Sequence, residues 1–121
     1  MKIKKNGERA CPIEETLKLF AGKWKASILF HLSEGKCRFN ELRRRIPAIT
    51  QRMLTQQLRE LERDGLVNRE QFNEIPPRVE YSLNEIGFSL EQIFLAIEQW
   101  GQLYSEVIET ARTKYDLKHR K

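Results

Sequence analysis

The stretch Ile49-Thr50-Gln51-Arg52-Met53-Leu54-Thr55-Gln56-Gln57-Leu58-Arg59-Glu60-Leu61 decides how the rest of the chain is read. Leu54, Leu58 and Leu61 recur at helical spacing and fall on one stripe, with Met53 and Leu66 at its margins. Thr50 stands where an N-cap is wanted and Asp64-Gly65 supplies a stop, so the spacing predicts a helix over 51–64. The opposite face carries Thr50, Gln51, Arg52, Thr55, Gln56 and Arg59, and the first carboxylate on the helix is Glu60. These are side chains that read base edges: Arg grips guanine through two hydrogen bonds, Gln grips adenine, and Thr offers a hydroxyl and a methyl. A helix that merely faces solvent also needs polar residues outside, so its neighbours must decide between the two readings.

Upstream, Phe39, Leu42 and Ile46 mark the buried side of a helix over 39–46, which Pro47 closes because the residue before proline disfavours helix. Trp24, Ile28, Leu29 and Leu32 predict a helix that ends at Ser33-Glu34-Gly35, and Ile13, Leu17 and Phe20 predict a shorter one over 12–20 behind Cys11-Pro12. Downstream, 67–71 and 79–83 read as strands around a polar loop over 72–78 that holds Pro76 and Pro77. A lone hairpin is not stable, so it must pack on the helices before it. Asn84 then caps a long helix over about 85–111, whose Leu90, Ile93, Phe94, Ile97, Trp100, Tyr104, Val107 and Ile108 spread over more than one face. Their excess apolar surface is expected to meet a second copy of the chain.

Three short helices followed by strand, loop and strand is the order of a winged helix. The expected fold class is therefore mainly α with a small β hairpin (α+β), a winged helix-turn-helix with an added C-terminal dimerisation helix. Helices 39–46 and 51–64 form the helix-turn-helix and the hairpin forms the wing. The organisation expected is a flexible N-terminal arm over 1–10, a DNA-binding domain over 11–111 whose dimerisation helix covers 85–111, and a basic tail over 112–121.

The charge distribution agrees. The 121 residues carry a net charge of +5. Residues 1–60 hold fourteen Lys and Arg against six Asp and Glu, while residues 61–121 hold eight against eleven. Between Val79 and Ala111 there is no Lys or Arg, yet Glu80, Glu85, Glu91, Glu98, Glu106 and Glu109 all lie there. Clustered Lys and Arg suit a polyanion, so charge alone leaves two readings of the first half, a nucleic-acid partner or a solvated surface that is basic, while the long acidic helix would be repelled by a polyanion. Lys25, Lys36 and Arg38 are the candidate phosphate clamps, and Arg78 could reach a phosphate or flanking minor groove from the wing. Arg43, Arg44 and Arg45 are adjacent and point around their helix, so at least one should serve packing or an ion pair, for example with Glu41 or Glu60.

Several classes are excluded. The chain is too short for a dinucleotide-binding enzyme or an eight-stranded α/β barrel. It shows no paired carboxylates in a cleft, no phosphate-cradling glycine loop and no nucleophile beside a base, so an enzyme is not expected and no cofactor is implied. Cys11, Cys37, His31 and His119 complete no metal-ligand spacing. The apolar runs are too short to cross a bilayer and no leader follows the N-terminal lysines, so the expected location is cytoplasmic, without a membrane. The competing reading is a winged helix used for protein–protein contact without sequence-specific DNA binding.

Cys11-Pro12, Gly22-Lys23-Trp24, Arg38-Phe39-Asn40-Glu41-Leu42, the stretch over 49–61, Asp64-Gly65-Leu66 and Pro77-Arg78-Val79-Glu80-Tyr81-Ser82-Leu83 occur in order. Together, over about residues 10–104, they resemble the HxlR-type winged-helix regulators, relatives of the MarR group. The resemblance implies a bacterial cytosolic homodimer on palindromic operator DNA, joined through its N-terminal segment and long C-terminal helix, that represses or activates nearby genes. Ala21 and Phe88 depart from the family pattern, and Phe88 adds apolar surface near the start of the dimer helix. Cys11 sits where some members carry a cysteine that senses oxidants or electrophiles. The dipole of the following helix and Arg9 favour a reactive thiolate there, and a small residue packed at the dimer interface is the other reading. A small-molecule or oxidant effector is the corresponding partner, and Cys37 is not part of the motif.

Overall fold

The computed structural model describes residues 11–120. The arm over 1–10, together with Arg9, lies outside the described residues. The order is α1 (Pro12–Phe20), α2 (Lys25–Ser33), β1 (Cys37–Arg38), α3 (Phe39–Arg45), α4 (Gln51–Arg63), β2 (Val67–Phe72), β3 (Arg78–Leu83), α5 (Glu85–Ser89) and α6 (Glu91–Lys118). The chain divides into two compact units, the first ending at Phe88 and the second beginning at Ser89.

The first unit is a winged helix. Its core joins Ile28, Leu29 and Leu32 of α2, Leu42 of α3 and Leu54, Leu58 and Leu61 of α4, each at most 1% exposed. Removing such side chains from water contributes roughly 1.5–3 kcal/mol each. The turn between α3 and α4 is anchored by Ile46 and Ile49, both buried, whose backbones share a hydrogen bond from Ile49 N–H to the Ile46 carbonyl. Gly65, at φ +77°, ends α4 in the left-handed region while Leu66 N–H bonds back to the Leu61 carbonyl.

The sheet has three strands, not the two of the expected hairpin. Its order is β1-β3-β2, all antiparallel, with Cys37 opposite Tyr81 and Tyr81 opposite Arg69. Cys37, expected in a turn, is thus a strand residue, 1% exposed. Burial pushes its thiol above the usual range, opposed by Arg45, whose Nη1 donates to Sγ at 3.3 Å, and reinforced by Glu41 and Glu34.

The long helix expected over 85–111 is two helices. Asn84 does cap the first, its Oδ1 accepting from Gly87 N–H at 2.8 Å while its amide donates to the Gly65 carbonyl. Gly87 is buried, and a Cβ there would meet the Leu66 carbonyl oxygen at 2.3 Å, so close packing holds α5 on the β2 end of the unit. The second unit is essentially α6, which runs on to Lys118 and takes in most of the expected basic tail. Ile93, Leu95, Ile97, Trp100, Leu103 and Val107 of α6 are 39–71% exposed. No described helix is long and apolar enough to cross a membrane.

Candidate nucleic-acid interface

The site is built on α4. Thr50 has the expected capping role, its Oγ1 accepting from Met53 N–H at 3.1 Å, so the first turn that carries Gln51 and Arg52 is held closed. With Leu54, Leu58 and Leu61 locked in the core, the opposite face must point outward, and Gln51, Arg52, Gln56 and Arg59 are exposed there. Thr55 is half-buried and its hydroxyl donates to the Gln51 carbonyl at 2.8 Å, which leaves its methyl and the acceptor lone pairs of its oxygen for a partner. Arg52, Thr55, Gln56 and Arg59 line one shallow groove with Glu60. Of the six expected base-contacting residues, Arg52, Thr55, Gln56 and Arg59 thus lie along one groove, Gln51 is exposed in the first turn, and Thr50 precedes the helix as its cap.

The four expected phosphate clamps divide. Lys36 and Arg38 are exposed, just before and within β1, and Arg38 N–H donates to Glu41 Oε1 at 3.0 Å, which fixes the start of α3. Lys25 has an internal partner: its Nζ lies 3.0 Å from Glu60 Oε1 with the side chain only 13% exposed. A phosphate there would have to share the charge with Glu60. Arg78 is held twice, 3.1 Å from Glu74 and 3.7 Å from Glu80, with its guanidinium 4.0 Å over the centre of the Phe72 ring. The three adjacent arginines are all exposed, and Arg45 donates to Cys37 Sγ rather than forming either suggested ion pair.

A second groove, of about 560 Å³, runs between α4 and the wing and is lined by Gln51, Thr55, Arg59, Glu62, Arg69 and Tyr81. Arg69 and Tyr81 were not expected at the site. The signal for them lies in the strand pleat: Val67 and Arg69 share a face, and Val67 is buried against the core. Cys11 is exposed at the N-terminus of α1, and its carbonyl accepts the first helical bond from Glu15 N–H. Among the described residues no group of His, Cys, Asp and Glu could hold a metal.

A capped helix offering Arg and Gln, preceded by a second helix across a buried turn and followed by a wing, defines a winged helix-turn-helix protein. The HxlR-like helix-turn-helix family matches residues 19–109, and the chain belongs to that family of transcriptional regulators. It is 51% identical over 116 residues, 93% of each chain, to the uncharacterised HTH-type transcriptional regulator YybR of Bacillus subtilis (strain 168). Among solved structures, the redox regulator HypR in its reduced form is 53% identical, with a TM-score of 0.77 over 83% of this chain and 99% of that one. A MarR-family transcriptional regulator from Enterococcus faecalis V583 is 42% identical, with a TM-score of 0.73 over 93% of this chain and 96% of that one.

Proposed function

We propose that the protein binds a palindromic operator as a homodimer, each protomer laying α4 in a major groove. The observation that carries this reading is the outer face of α4, where Gln51, Arg52, Gln56 and Arg59 stand exposed with no carboxylate before Glu60. Arg52 and Gln56 read base edges, assisted by Gln51, Arg59 and the Thr50 and Thr55 side chains. Lys36 and Arg38 hold phosphates. Lys25 and Arg78 act through their carboxylates, Lys25 by fixing Glu60 and Arg78 by stiffening the wing.

The partner protomer is expected to cover the exposed apolar residues of α6, with the N-terminal segment contributing and the basic residues beyond Arg112 lying at the end of the dimer helix. Two-fold symmetry then sets half-sites about 34 Å, or a multiple of it, apart. The exposed Cys11 at the head of α1, together with the likeness to a redox regulator, supports a thiol response to oxidants or electrophiles. The protein acts where DNA is, in the cytoplasm of the cell, without chemistry of its own.

Replacing Arg52 or Gln56 by Ala tests the assignment. Each should relax preference at a particular base pair at a cost of about 1–3 kcal/mol, whereas Arg38→Ala should weaken operator and random DNA alike. Identical behaviour of both classes on both DNAs would refute it. Cys11→Ser should bind DNA normally and lose any response to diamide, and an intact response would remove Cys11 as the sensor.

A further inference from the structure

We propose that Lys25 is a positioning residue that couples α1 to the recognition helix: its ammonium holds the last turn of α1 and Glu60 of α4 together and keeps that carboxylate neutralised beside DNA. The inference rests on the reading of α4 as the helix that enters the major groove, and it assigns how that helix is controlled from within the fold.

Glu60 is the first carboxylate on α4 and lines the same shallow groove as Arg52, Thr55, Gln56 and Arg59. It follows Gln56 by one helical turn, so it stands at the edge of the face offered to bases. A bare carboxylate there repels the phosphates that border the groove, over a reach of roughly 8 Å at physiological salt. In this protein Glu60 is neutralised, because Lys25 Nζ lies 3.0 Å from its Oε1, its one ion pair among the described residues.

The same ammonium has a second acceptor. Lys25 is the first residue of α2, and its Nζ also donates to the Lys18 carbonyl at 3.5 Å. That carbonyl belongs to the last turn of α1, where a helix leaves four carbonyls without an intrahelical partner and its dipole is negative. One cation thus satisfies an acceptor on each of two helices. Among the side chains of α1 only Phe20 is buried, while Ile13, Leu17 and Leu19 are exposed, so α1 is lightly seated. A shift of α1 withdraws the carbonyl and lets water reach the ammonium, which weakens its grip on Glu60. The seat of α1 and the affinity of α4 for DNA are therefore coupled, and the coupling is reciprocal.

The test compares the full chain with three variants, on a duplex selected from a random DNA pool and on random duplex. Lys25→Met should weaken binding to both about five-fold with an unchanged salt slope, because it exposes a repulsion and removes no phosphate contact. Glu60→Gln should bind at least as tightly as the parent. The Lys25→Met/Glu60→Gln double variant should return to within about two-fold of the parent. Urea midpoints are expected to show the double variant no more stable than Lys25→Met, so recovered affinity is not recovered folding. A double variant as weak on DNA as Lys25→Met overturns the proposal. The link to α1 is read by hydrogen exchange at the Ala21 amide, which bonds to the Leu17 carbonyl in that last turn. Saturating selected duplex should slow this exchange several-fold in the parent and leave it unchanged in Glu60→Gln. Equal slowing in both proteins, or none in the parent, overturns the link. A parent with no preference for the selected duplex over random DNA overturns instead the reading of α4 on which the proposal rests.

Discussion

The ion pair between Lys25 and Glu60 joins α2 to the outer edge of α4, and it yields a prediction that separates a structural role from a DNA-contacting one. At 3.0 Å, the Coulomb attraction runs from about 1.4 kcal/mol at the dielectric of water to about 5.5 kcal/mol at an effective value of 20. The lysine side chain is 13% exposed but the glutamate 40%, so screening and the ordering of both side chains remove most of that gain. The coupling that remains is about 1 kcal/mol. Lys25→Met keeps the apolar stem and should cost about 1–1.5 kcal/mol; Glu60→Gln should cost about 1 kcal/mol. The double variant should then cost about 1 kcal/mol less than the two singles together. Urea unfolding at one fixed protein concentration measures all four species, since association would otherwise shift the midpoints. Raising the salt to about 1 M should reduce the coupling. Because Lys25 spends its charge on Glu60, Lys25→Met should leave the salt slope of DNA binding unchanged. An additive cycle together with a slope reduced by about 0.9 would refute the argument and make Lys25 a phosphate clamp.

Other consequences follow from single residues. Thr50→Ala removes the acceptor for Met53 N–H and should lower stability by about 1 kcal/mol, with operator affinity falling further because the frayed turn carries Gln51 and Arg52; urea midpoints and operator titration check it. Gly87→Ala places a methyl 2.3 Å from the Leu66 carbonyl oxygen and should cost about 2 kcal/mol net, even after a gain of about 1 kcal/mol in helix propensity. An unchanged urea midpoint would show that the α5 packing is looser than described. The two thiols should differ: with a disulfide reagent the exposed Cys11 reacts in the native protein, while Cys37 reacts only on unfolding. Because the fold raises the Cys37 pKa, the native state holds that proton more tightly than the unfolded chain does. The stability contributed by this thiol should therefore be fully present below about pH 8.5 and be lost as pH rises above it, and Cys37→Ala should remove that part of the alkaline loss.

How much of this was legible in the sequence depends on whether a feature is local. The stripe Leu54, Leu58, Leu61 and the cap at Thr50 are set within a few residues, and they fixed α4 and its outer face together. The interruption of the long helix at Leu90 was not legible, because no proline marks it and the close packing of the nearby Gly87 on the Leu66 carbonyl is a tertiary contact. By contrast, the extension of α6 to Lys118 had a signal: no Gly or Pro follows Gly101 to stop it. Strand β1 is two residues long, too short for any alternation to show, and it exists because β3 offers an edge to Cys37 and Arg38.

The site divides the same way. Glu74 and Glu80 lie four and two residues from Arg78, so the pairing of that arginine could be read from spacing. Lys25 and Glu60 are 35 residues apart, and only the packing of α2 on the helix-turn-helix brings them together. Arg69 needed the pleat to be followed from the buried Val67 outward.

The central claim is that α4 reads base sequence as part of a two-fold assembly. Selection of bound duplexes from a random DNA pool tests it most directly. The proposed homodimer predicts enriched sites with inverted half-sites centred about one helical turn, or a multiple of it, apart, and loss of enrichment at defined positions with Arg52→Ala or Gln56→Ala. A pool that emerges unenriched, or enriched in a single unpaired half-site, would contradict it.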